Sequence, residues 1–178
     1  MQPSNTQQWI LTGYSIFALK GRAGLKIEPL AKAVGKSKSS FYHHFADLEV
    51  FVEQLLEYHL QQAQVMAIKE QQAQNIDPEL IQILVDHKID LLFNRQLRIH
   101  QNEPAFALTL QRSNAMVGDA FVKLWIKDLH LKLSQQQVEG LFTLALENFF
   151  LQINNDSLNQ DWLSAYFGHL KKITQSFS

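Results

Sequence analysis

The fold is decided by the short segment VGKSKSSFYHHF, residues 34–45. Gly35 can adopt the positive φ of a tight turn, and Ser37 is a favoured N-cap residue for a helix that runs to about Phe45. A second short helix precedes the turn, from about Ile27 to Val34, and its Pro29 stands in the first turn, where a helix has no internal donor to lose. Two short helices joined by a glycine turn predict a helix-turn-helix.

The rest of the chain also has a helical pattern. Its 178 residues include seven glycines and four prolines, and apolar residues recur at spacings of three and four. A first helix is predicted from about Thr6 to Lys20, and Asp47 is predicted to cap a long fourth helix that runs to about Gln74. Five further helices are predicted: Asp77–Arg98, Glu103–Asn114, Met116–Lys132, a helix capped by Ser134 that ends near Asn154, and Leu158–Phe177. We therefore expect an all-α fold of about nine helices, the first three forming an N-terminal helix-turn-helix.

The composition is that of an ordinary globular protein, with 46% apolar and 19% charged residues. Because the chain contains no cysteine, it has no disulfide, no thiolate metal site and no cysteine nucleophile. The N-terminus has no basic and apolar leader, and no apolar run approaches the roughly 18 residues of a membrane span. We expect a cytoplasmic location without membrane association.

Charge is distributed unevenly along the chain. Residues 1–48 contain six lysine and arginine residues and two acids, which gives this segment a formal charge of +4. Because the net charge of the chain is −1, the remaining residues carry a formal charge of −5. A basic end on an acidic body is the pattern expected when one end meets a polyanion. Chance clustering of surface lysines is the alternative explanation of this charge pattern.

The N-terminal residues resemble a known family. The residues that carry the resemblance are Gly21, Ile27, Leu30, Ala31, Val34, Gly35, Ser37, Lys38, Phe41, Tyr42, His44, Phe45 and Asp47. At this spacing, the segment from about Ile10 to Leu56 resembles the N-terminal domain of TetR-type (TetR/AcrR) bacterial transcriptional regulators. The resemblance implies a helix-turn-helix DNA-binding domain over residues 1–48 and a helical ligand-binding and dimerisation domain over residues 49–178.

The recognition helix supplies the candidate DNA contacts. A cation in the first helical turn, as at Lys38, is opposed by the helix dipole, which favours an anion outside the protein as its partner. Ser39 and Ser40 are short groups that can meet phosphate or base, and the resemblance implies that Tyr42 and His44 face the DNA backbone. The candidate DNA-binding residues are Lys26, Lys36, Ser37, Lys38, Ser39, Ser40, Tyr42, His43 and His44. Ordinary surface histidines are the alternative for the last two.

Three residues depart from the family pattern. Lys36 stands where the family usually has an apolar residue, and Lys26 replaces the usual threonine before the second helix. Leu48 stands where a lysine is common at the start of the fourth helix, which removes one phosphate contact. We expect the set of DNA contacts to be redistributed.

The last two predicted helices have apolar faces wider than a single core stripe. A symmetric four-helix contact between two chains would cover them, and a two-fold dimer would also place two recognition helices in successive major grooves. A fully buried monomer core is the alternative. The candidate dimer residues are Phe142, Phe149, Trp162, Tyr166 and Leu170.

A ligand pocket is predicted in the C-terminal body. His87 lies on an apolar face of the predicted fifth helix, and aromatic groups with one amide could complete a cavity for a mostly apolar small molecule. A hydrogen-bonded core histidine is the alternative for this residue. The candidate ligand-binding residues are His87, Phe106, Gln111, Phe121 and Trp125.

Three classes of function are compatible with a helical chain of this kind. The leading hypothesis is a repressor that binds double-stranded operator DNA as a homodimer and is released by an unknown small-molecule inducer. An enzyme or metal protein would need converging groups such as two Glu-x-x-His motifs, which the sequence lacks, so no catalytic residue, metal or cofactor is expected. A helical adaptor that binds a protein partner and has lost DNA binding remains the alternative.

Overall fold

The computed structural model describes residues 4–129 and 134–175, and every regular element within these ranges is helical. The α-helices are α1 (Asn5–Lys20), α2 (Ile27–Val34), α3 (Lys38–His44), α4 (Leu48–Gln72), α5 (Ile81–Asp86), α6 (Lys88–Ile99), α7 (Pro104–Leu129), α8 (Gln135–Gln152) and α9 (Gln160–Gln175). A 3-10 turn at Arg22–Gly24 precedes α2, and a π-helical turn at Ile76–Leu80 precedes α5. The predicted all-α fold is confirmed.

The predicted caps of the N-terminal helices are present. The Ser37 Oγ accepts a hydrogen bond from the Ser40 amide at 3.2 Å, so α3 begins at the next residue. Gly35 has φ 74° and ψ 31°, the left-handed conformation that ends α2 without a steric cost. The Asp47 Oδ1 accepts from the Val50 amide at 2.9 Å at the start of α4. Local capping therefore sets the boundaries of the helix-turn-helix.

Two predicted boundaries further along the chain are wrong. The predicted helix Asp77–Arg98 is interrupted at His87, whose φ of −98° and ψ of 23° separate α5 from α6. The helices predicted on either side of Ala115 are one continuous helix, α7, because no glycine or proline stands there to end it. The predicted ends at Lys132 and Phe177 lie outside the described residues.

Two compact units make up the chain. Unit 1 comprises Met1–Gln62 and Ile89–Ser113, and unit 2 comprises Ala63–Lys88 and Asn114–Ser178. The interruption at His87 falls two residues before the chain returns to unit 1. The functional boundary after residue 48 stays a prediction.

An aromatic core within unit 1 fixes the helix-turn-helix. Phe41 of α3 is fully buried, and its ring lies 5.5 Å from Trp9 of α1, 5.1 Å from Phe45 and 5.4 Å from Phe51 of α4, between centroids. A Cβ atom at Gly13 would overlap the Phe51 ring, so the glycine permits the close approach of α1 and α4. Phe41 and Phe45 therefore both belong to this small core.

Unit 2 has a separate aromatic core. The Phe121 ring of α7 lies 5.4 Å from Phe142 of α8 and 5.9 Å from Phe167 of α9. On the same helices, Trp125 approaches Phe142 at 6.2 Å. The Ser164 hydroxyl donates to the Asp77 carboxylate at 2.8 Å, which attaches α9 to the π-helical turn. The three helices α7, α8 and α9 therefore pack around shared aromatic side chains.

Candidate nucleic-acid interface

The outer face of α3 carries the predicted DNA contacts. Because Phe41 and Phe45 point into the core, the residues on the opposite side of this short helix are left in solvent. Lys38, Ser39, Tyr42 and His43 are exposed, and Ser40 and His44 are partly exposed. The tyrosine is 56% exposed, which is unusual for an aromatic side chain beside a core. The helix thus presents a cation, hydroxyls and an aromatic group outward.

Lys38 has a partner within the protein. Its Nζ lies 2.9 Å from the Glu28 Oε2 of α2, and both side chains are largely exposed. The unfavourable position of Lys38 in the first turn of α3 therefore requires no anion from outside, which removes that reason for assigning it to DNA. Its exposure on the outer face of α3 still makes it a candidate contact.

The other two lysines of the candidate set differ in their surroundings. The Lys36 Nζ donates to the Asn5 side-chain oxygen of α1 at 3.1 Å, so the turn is attached to the N-terminal helix. Lys26 is exposed at the N-cap position of α2, and its side chain makes no capping hydrogen bond. Replacing threonine by lysine there exchanges a cap for a charge in solvent. Leu48, at the first position of α4, is partly buried.

The two histidines at the end of α3 are not equivalent. The His44 Nδ1 lies 3.2 Å from the Thr6 hydroxyl of α1, and the side chain is partly buried. His43 is exposed, with its ring 5.4 Å from that of His44 and steeply inclined to it. Within the described residues no group of three metal-ligating side chains is present.

A buried polar network in unit 1 was missed by sequence reasoning. The Tyr14 hydroxyl of α1 donates to the Asp90 Oδ1 of α6 at 2.8 Å, and its oxygen lies 2.8 Å from the His59 Nδ1 of α4. Since the hydroxyl proton is already directed at Asp90, His59 must donate from Nδ1. The Phe93 ring is stacked on both Tyr14 and His59, at 4.3 and 4.7 Å. This network connects three helices of unit 1.

Burial determines the protonation states of the network. Burial, followed by the neighbouring Asp90 carboxylate, raises the pKa of Tyr14 well above its ordinary value. Burial lowers the pKa of His59 to about 4, although Asp90 acts in the opposite direction. A neutral His59 that donates from Nδ1 leaves Nε2 as an acceptor, and Nε2 is buried without a hydrogen-bond partner in the part of the chain that the structure describes. The sequence signal was His59 four residues after Leu55, on the buried face of α4.

Arg22 connects the helix-turn-helix to the rest of unit 1. Its guanidinium donates to both oxygens of Glu49, at 2.7 and 2.9 Å, and also to Glu103 in the segment before α7. The guanidinium carbon lies 5.7 Å from the centre of the Phe106 ring. Two carboxylates and a ring therefore hold the turn between α1 and α2 in place.

Comparisons with known proteins support this architecture. A protein from Rhodococcus sp. assigned to the TetR family of transcriptional regulators gives a TM-score of 0.53 at 19% identity, over 95% of this chain and 97% of that one. A protein from Mesorhizobium loti assigned to the same family gives 0.58 at 16% identity, over 98% and 97%. The fold is that of the TetR-family regulators. The expected resemblance is confirmed at the level of the fold.

A third solved structure with the TetR-type fold has a named ligand. The multidrug binding protein EbrR, in complex with malachite green, gives a TM-score of 0.56 at 17% identity over 98% of both chains. No protein-family model matches the sequence, and no curated protein matches it significantly. In the described residues, no helix is long and apolar enough to cross a membrane.

The predicted ligand-binding residues are divided between the two units of the TetR-type fold. His87, Phe121 and Trp125 belong to unit 2, whereas Phe106 and Gln111 belong to unit 1. Phe106 is buried against the Phe17 ring at 5.7 Å, and Gln111 is exposed. Phe121 and Trp125 share Phe142 as a neighbour. The five residues therefore do not form one cluster within either unit.

Unit 2 has a buried histidine, His87, directly after α5, and a buried acid, Glu70, on α4. His87 is 5% exposed, and its Nε2 lies 2.9 Å from the Lys69 Nζ of α4. Glu70 is 3% exposed, and its Oε2 has no hydrogen-bond partner among the described residues. Burial raises the pKa of Glu70 to about 8.

Glu70 could have been recognised from its spacing. Ala63, Met66, Ala67 and Glu70 recur at intervals of three and four and are all buried, so the acid continues an apolar stripe. The exposed glutamines on the other side of the helix concealed this pattern. A carboxyl group at such a position in an interior is a frequent feature of functional sites.

The predicted dimer residues lie on α8 and α9 and are partly exposed, except for Phe149, which is 7% exposed. The Trp162 and Tyr166 rings are stacked at 5.2 Å, and the Tyr166 hydroxyl donates to the Ala145 carbonyl at 2.9 Å. On the outer side of α8, Leu144 and Leu151 are 69% and 78% exposed. These leucines are seven residues apart and therefore share a helix face.

Proposed function

We propose that the protein is a transcriptional regulator, acting as a repressor, that binds operator DNA through α3. The observation that carries this proposal is the outward face of α3, with Lys38, Ser39, Tyr42 and His43 exposed on a helix-turn-helix. Hydroxyl, ammonium and phenol groups are the side chains that contact phosphates and base edges. Residues 1–48 are the DNA-binding domain in this proposal, and the cytoplasm is where it acts.

We propose that the active form is a homodimer. Leu144 and Leu151 expose apolar surface on one face of α8, and Trp162, Tyr166 and Leu170 are partly exposed on α9. A second copy would cover these faces, and two-fold symmetry would place two recognition helices about one helical turn of DNA apart. Residues 49–178 would supply both this interface and a ligand site.

The ligand is proposed to be a small, mostly apolar molecule that releases the protein from DNA. EbrR, which shares the fold, binds malachite green. Glu70 is the buried group of unit 2 best suited to a ligand, because one of its carboxyl oxygens has no partner in the described residues. A ligand that prefers the conformation unable to bind DNA would shift the population away from the operator.

The test is binding of the full-length protein to the duplex upstream of its own gene, measured across a salt series. The wild type should bind that duplex more tightly than a scrambled duplex, with a steep salt dependence from counterion release. The double variant Lys38→Ala with Tyr42→Ala should lose this binding while keeping its helical circular dichroism. Equal, salt-insensitive binding of both proteins to both duplexes would rule out the assignment.

A second candidate is a helical adaptor that binds a protein partner instead of DNA. It is favoured by the partners that Lys36 and Lys38 already have in the chain, Asn5 and Glu28, and by an apolar Leu48 at the start of α4. Capture of one protein partner in the absence of duplex binding would support it.

A further inference from the structure

Glu28 places a negative charge on the proposed DNA-binding surface. It lies in the first turn of α2, its side chain is 78% exposed, and its Oε2 is 2.9 Å from the Lys38 Nζ. Lys38 is the one exposed lysine of α3, and its side chain is 55% exposed. The ion pair thus joins the two helices of the helix-turn-helix on their solvent side.

Glu28 differs from the other acid in the N-terminal segment. Residues 1–48 contain two acids, Glu28 and Asp47. Asp47 accepts a hydrogen bond from the Val50 amide and has a capping role at α4. Glu28 is bonded to a lysine that is itself a candidate phosphate contact. The carboxylate therefore competes with any polyanion that approaches α3.

We propose that Glu28 competes with DNA phosphate for Lys38 and so lowers the affinity of the protein for the DNA backbone. This inference rests on the proposed function. When Lys38 turns to a phosphate, the Glu28 carboxylate either shares the ammonium group with it or stands unpaired beside the nucleic acid, and in both cases it opposes the contact. Binding that does not depend on sequence comes from phosphate contacts. A competing carboxylate weakens this sequence-independent binding. Contacts to the bases then contribute a larger share of the total binding free energy.

Glu28 also has a structural role that acts in the opposite direction. The N-cap residue Lys26 gives α2 no side-chain cap, so an acid in the first turn stabilises the helix through its dipole. Replacing the acid should therefore lower stability slightly, while the same change increases binding to DNA. A purely structural role would lower both quantities together, so the two roles can be separated by experiment.

The experiment uses a mixed-sequence DNA duplex that spans at least two helical turns, with fluorescence anisotropy across a salt series. The full-length wild type is compared with Glu28→Gln, Lys38→Gln and the double variant. Glu57→Gln is the matched control, because Glu57 is also an exposed acid but belongs to α4 and not to the helix-turn-helix. Melting temperatures are recorded for every variant.

Glu28→Gln should bind the duplex about two- to fivefold more tightly at low salt, the range expected for breaking one exposed ion pair. The affinity of Glu28→Gln should also fall more steeply with salt concentration than that of the wild type. The difference in slope should correspond to at most about one additional phosphate contact per subunit. The gain should shrink in the Lys38→Gln background, and Glu57→Gln should match the wild type. Binding by Glu28→Gln where the wild type binds too weakly to measure would also support the inference.

Several results would overturn the inference. If the wild type binds with a steep salt dependence and Glu28→Gln binds equally or less tightly, Glu28 is not a competitor and the proposed function still stands. An equal gain in the Lys38→Gln background, or in Glu57→Gln, would exclude competition for Lys38. If neither the wild type nor Glu28→Gln binds the duplex at low salt, both this inference and the proposed function fail.

Discussion

In unit 1 the buried Tyr14 hydroxyl is hydrogen-bonded to both His59 and Asp90, although the His59 Nε2 has no partner among the described residues. In unit 2 the buried Glu70 Oε2 also has no partner in that part of the chain. A paired network rigidifies the helices that it joins. An unpaired carboxyl group destabilises the fold and is retained where it has another use. The comparison is between a unit in which a buried tyrosine joins three helices and a unit that keeps a buried carboxyl oxygen without a partner among the described residues.

The two regions should also respond to pH in opposite directions. Glu70 has a folded-state pKa of about 8, above its ordinary value of 4.5, so the folded state holds the proton more tightly. The contribution of Glu70 to the free energy of unfolding is therefore largest below pH 4.5, and it is lost as the pH rises towards and through 8. The His59 pKa is lowered to about 4 from 6.5, so its contribution is present above pH 6.5 and is lost as the pH falls through 4.

The largest expected effect is the removal of the Glu70 titration. Glu70→Gln should flatten the decline in stability between pH 4.5 and 8, which for the wild type is on the order of 5 kcal/mol at about 1.4 kcal/mol per pKa unit. The measurement is urea unfolding at a series of pH values, followed by circular dichroism. Glu139→Gln, an exposed acid of α8, is the control and should keep the wild-type pH profile.

If Glu70→Gln and the wild type had the same pH profile, Glu70 would be hydrogen-bonded or solvated in the folded protein. The contrast between the two units would then disappear. The same variant tests the proposed ligand role, because a ligand that pairs with the Glu70 carboxyl group should bind the glutamine variant more weakly than the wild type.

The helix-turn-helix could be predicted from sequence because its boundaries depend on local interactions. Gly35, Ser37 and Asp47 each act within a few residues of the helix end that they define. The break at His87 could not be predicted, because the apolar pattern continues through it. The spacing of apolar residues does not show where the chain passes from one compact unit to the other.

The outward face of α3 was also predictable, since burying Phe41 and Phe45 leaves the intervening positions in solvent. The buried network of Tyr14, His59 and Asp90 could not be predicted from the sequence. Tyr14 is separated by 45 residues from His59 and by 76 from Asp90, and only the packing of three helices brings them together. The Glu28–Lys38 pair requires the angle between α2 and α3, which the sequence pattern does not specify.

A smaller effect is expected from the titration of His59. His59→Asn keeps a side-chain donor for Tyr14 and removes the imidazole, so the loss of stability between pH 6.5 and 4, on the order of 3 kcal/mol, should disappear. Tyr14→Phe is the comparison variant: it should cost about 1–3 kcal/mol near pH 7, because it leaves buried polar groups unpaired. Both are measured by urea unfolding.

An unchanged acid profile in His59→Asn would mean that the imidazole is accessible to water and already free to ionise. In that case the acid lability of unit 1 would come from carboxylates.

The smallest expected effect compares two helix caps, one in each unit. Ser37 caps α3 through the Ser40 amide, and Ser134 caps α8 through the Gln137 amide within a reciprocal capping box. Replacing either serine by alanine should cost about 1 kcal/mol of stability. Because α3 carries the proposed DNA contacts and α8 does not, Ser37→Ala should also weaken duplex binding, and Ser134→Ala should leave it unchanged at temperatures where both variants are folded. Equal binding by the two variants would mean that α3 keeps its geometry without the cap, and that the aromatic packing of Phe41 alone holds the proposed recognition helix in place.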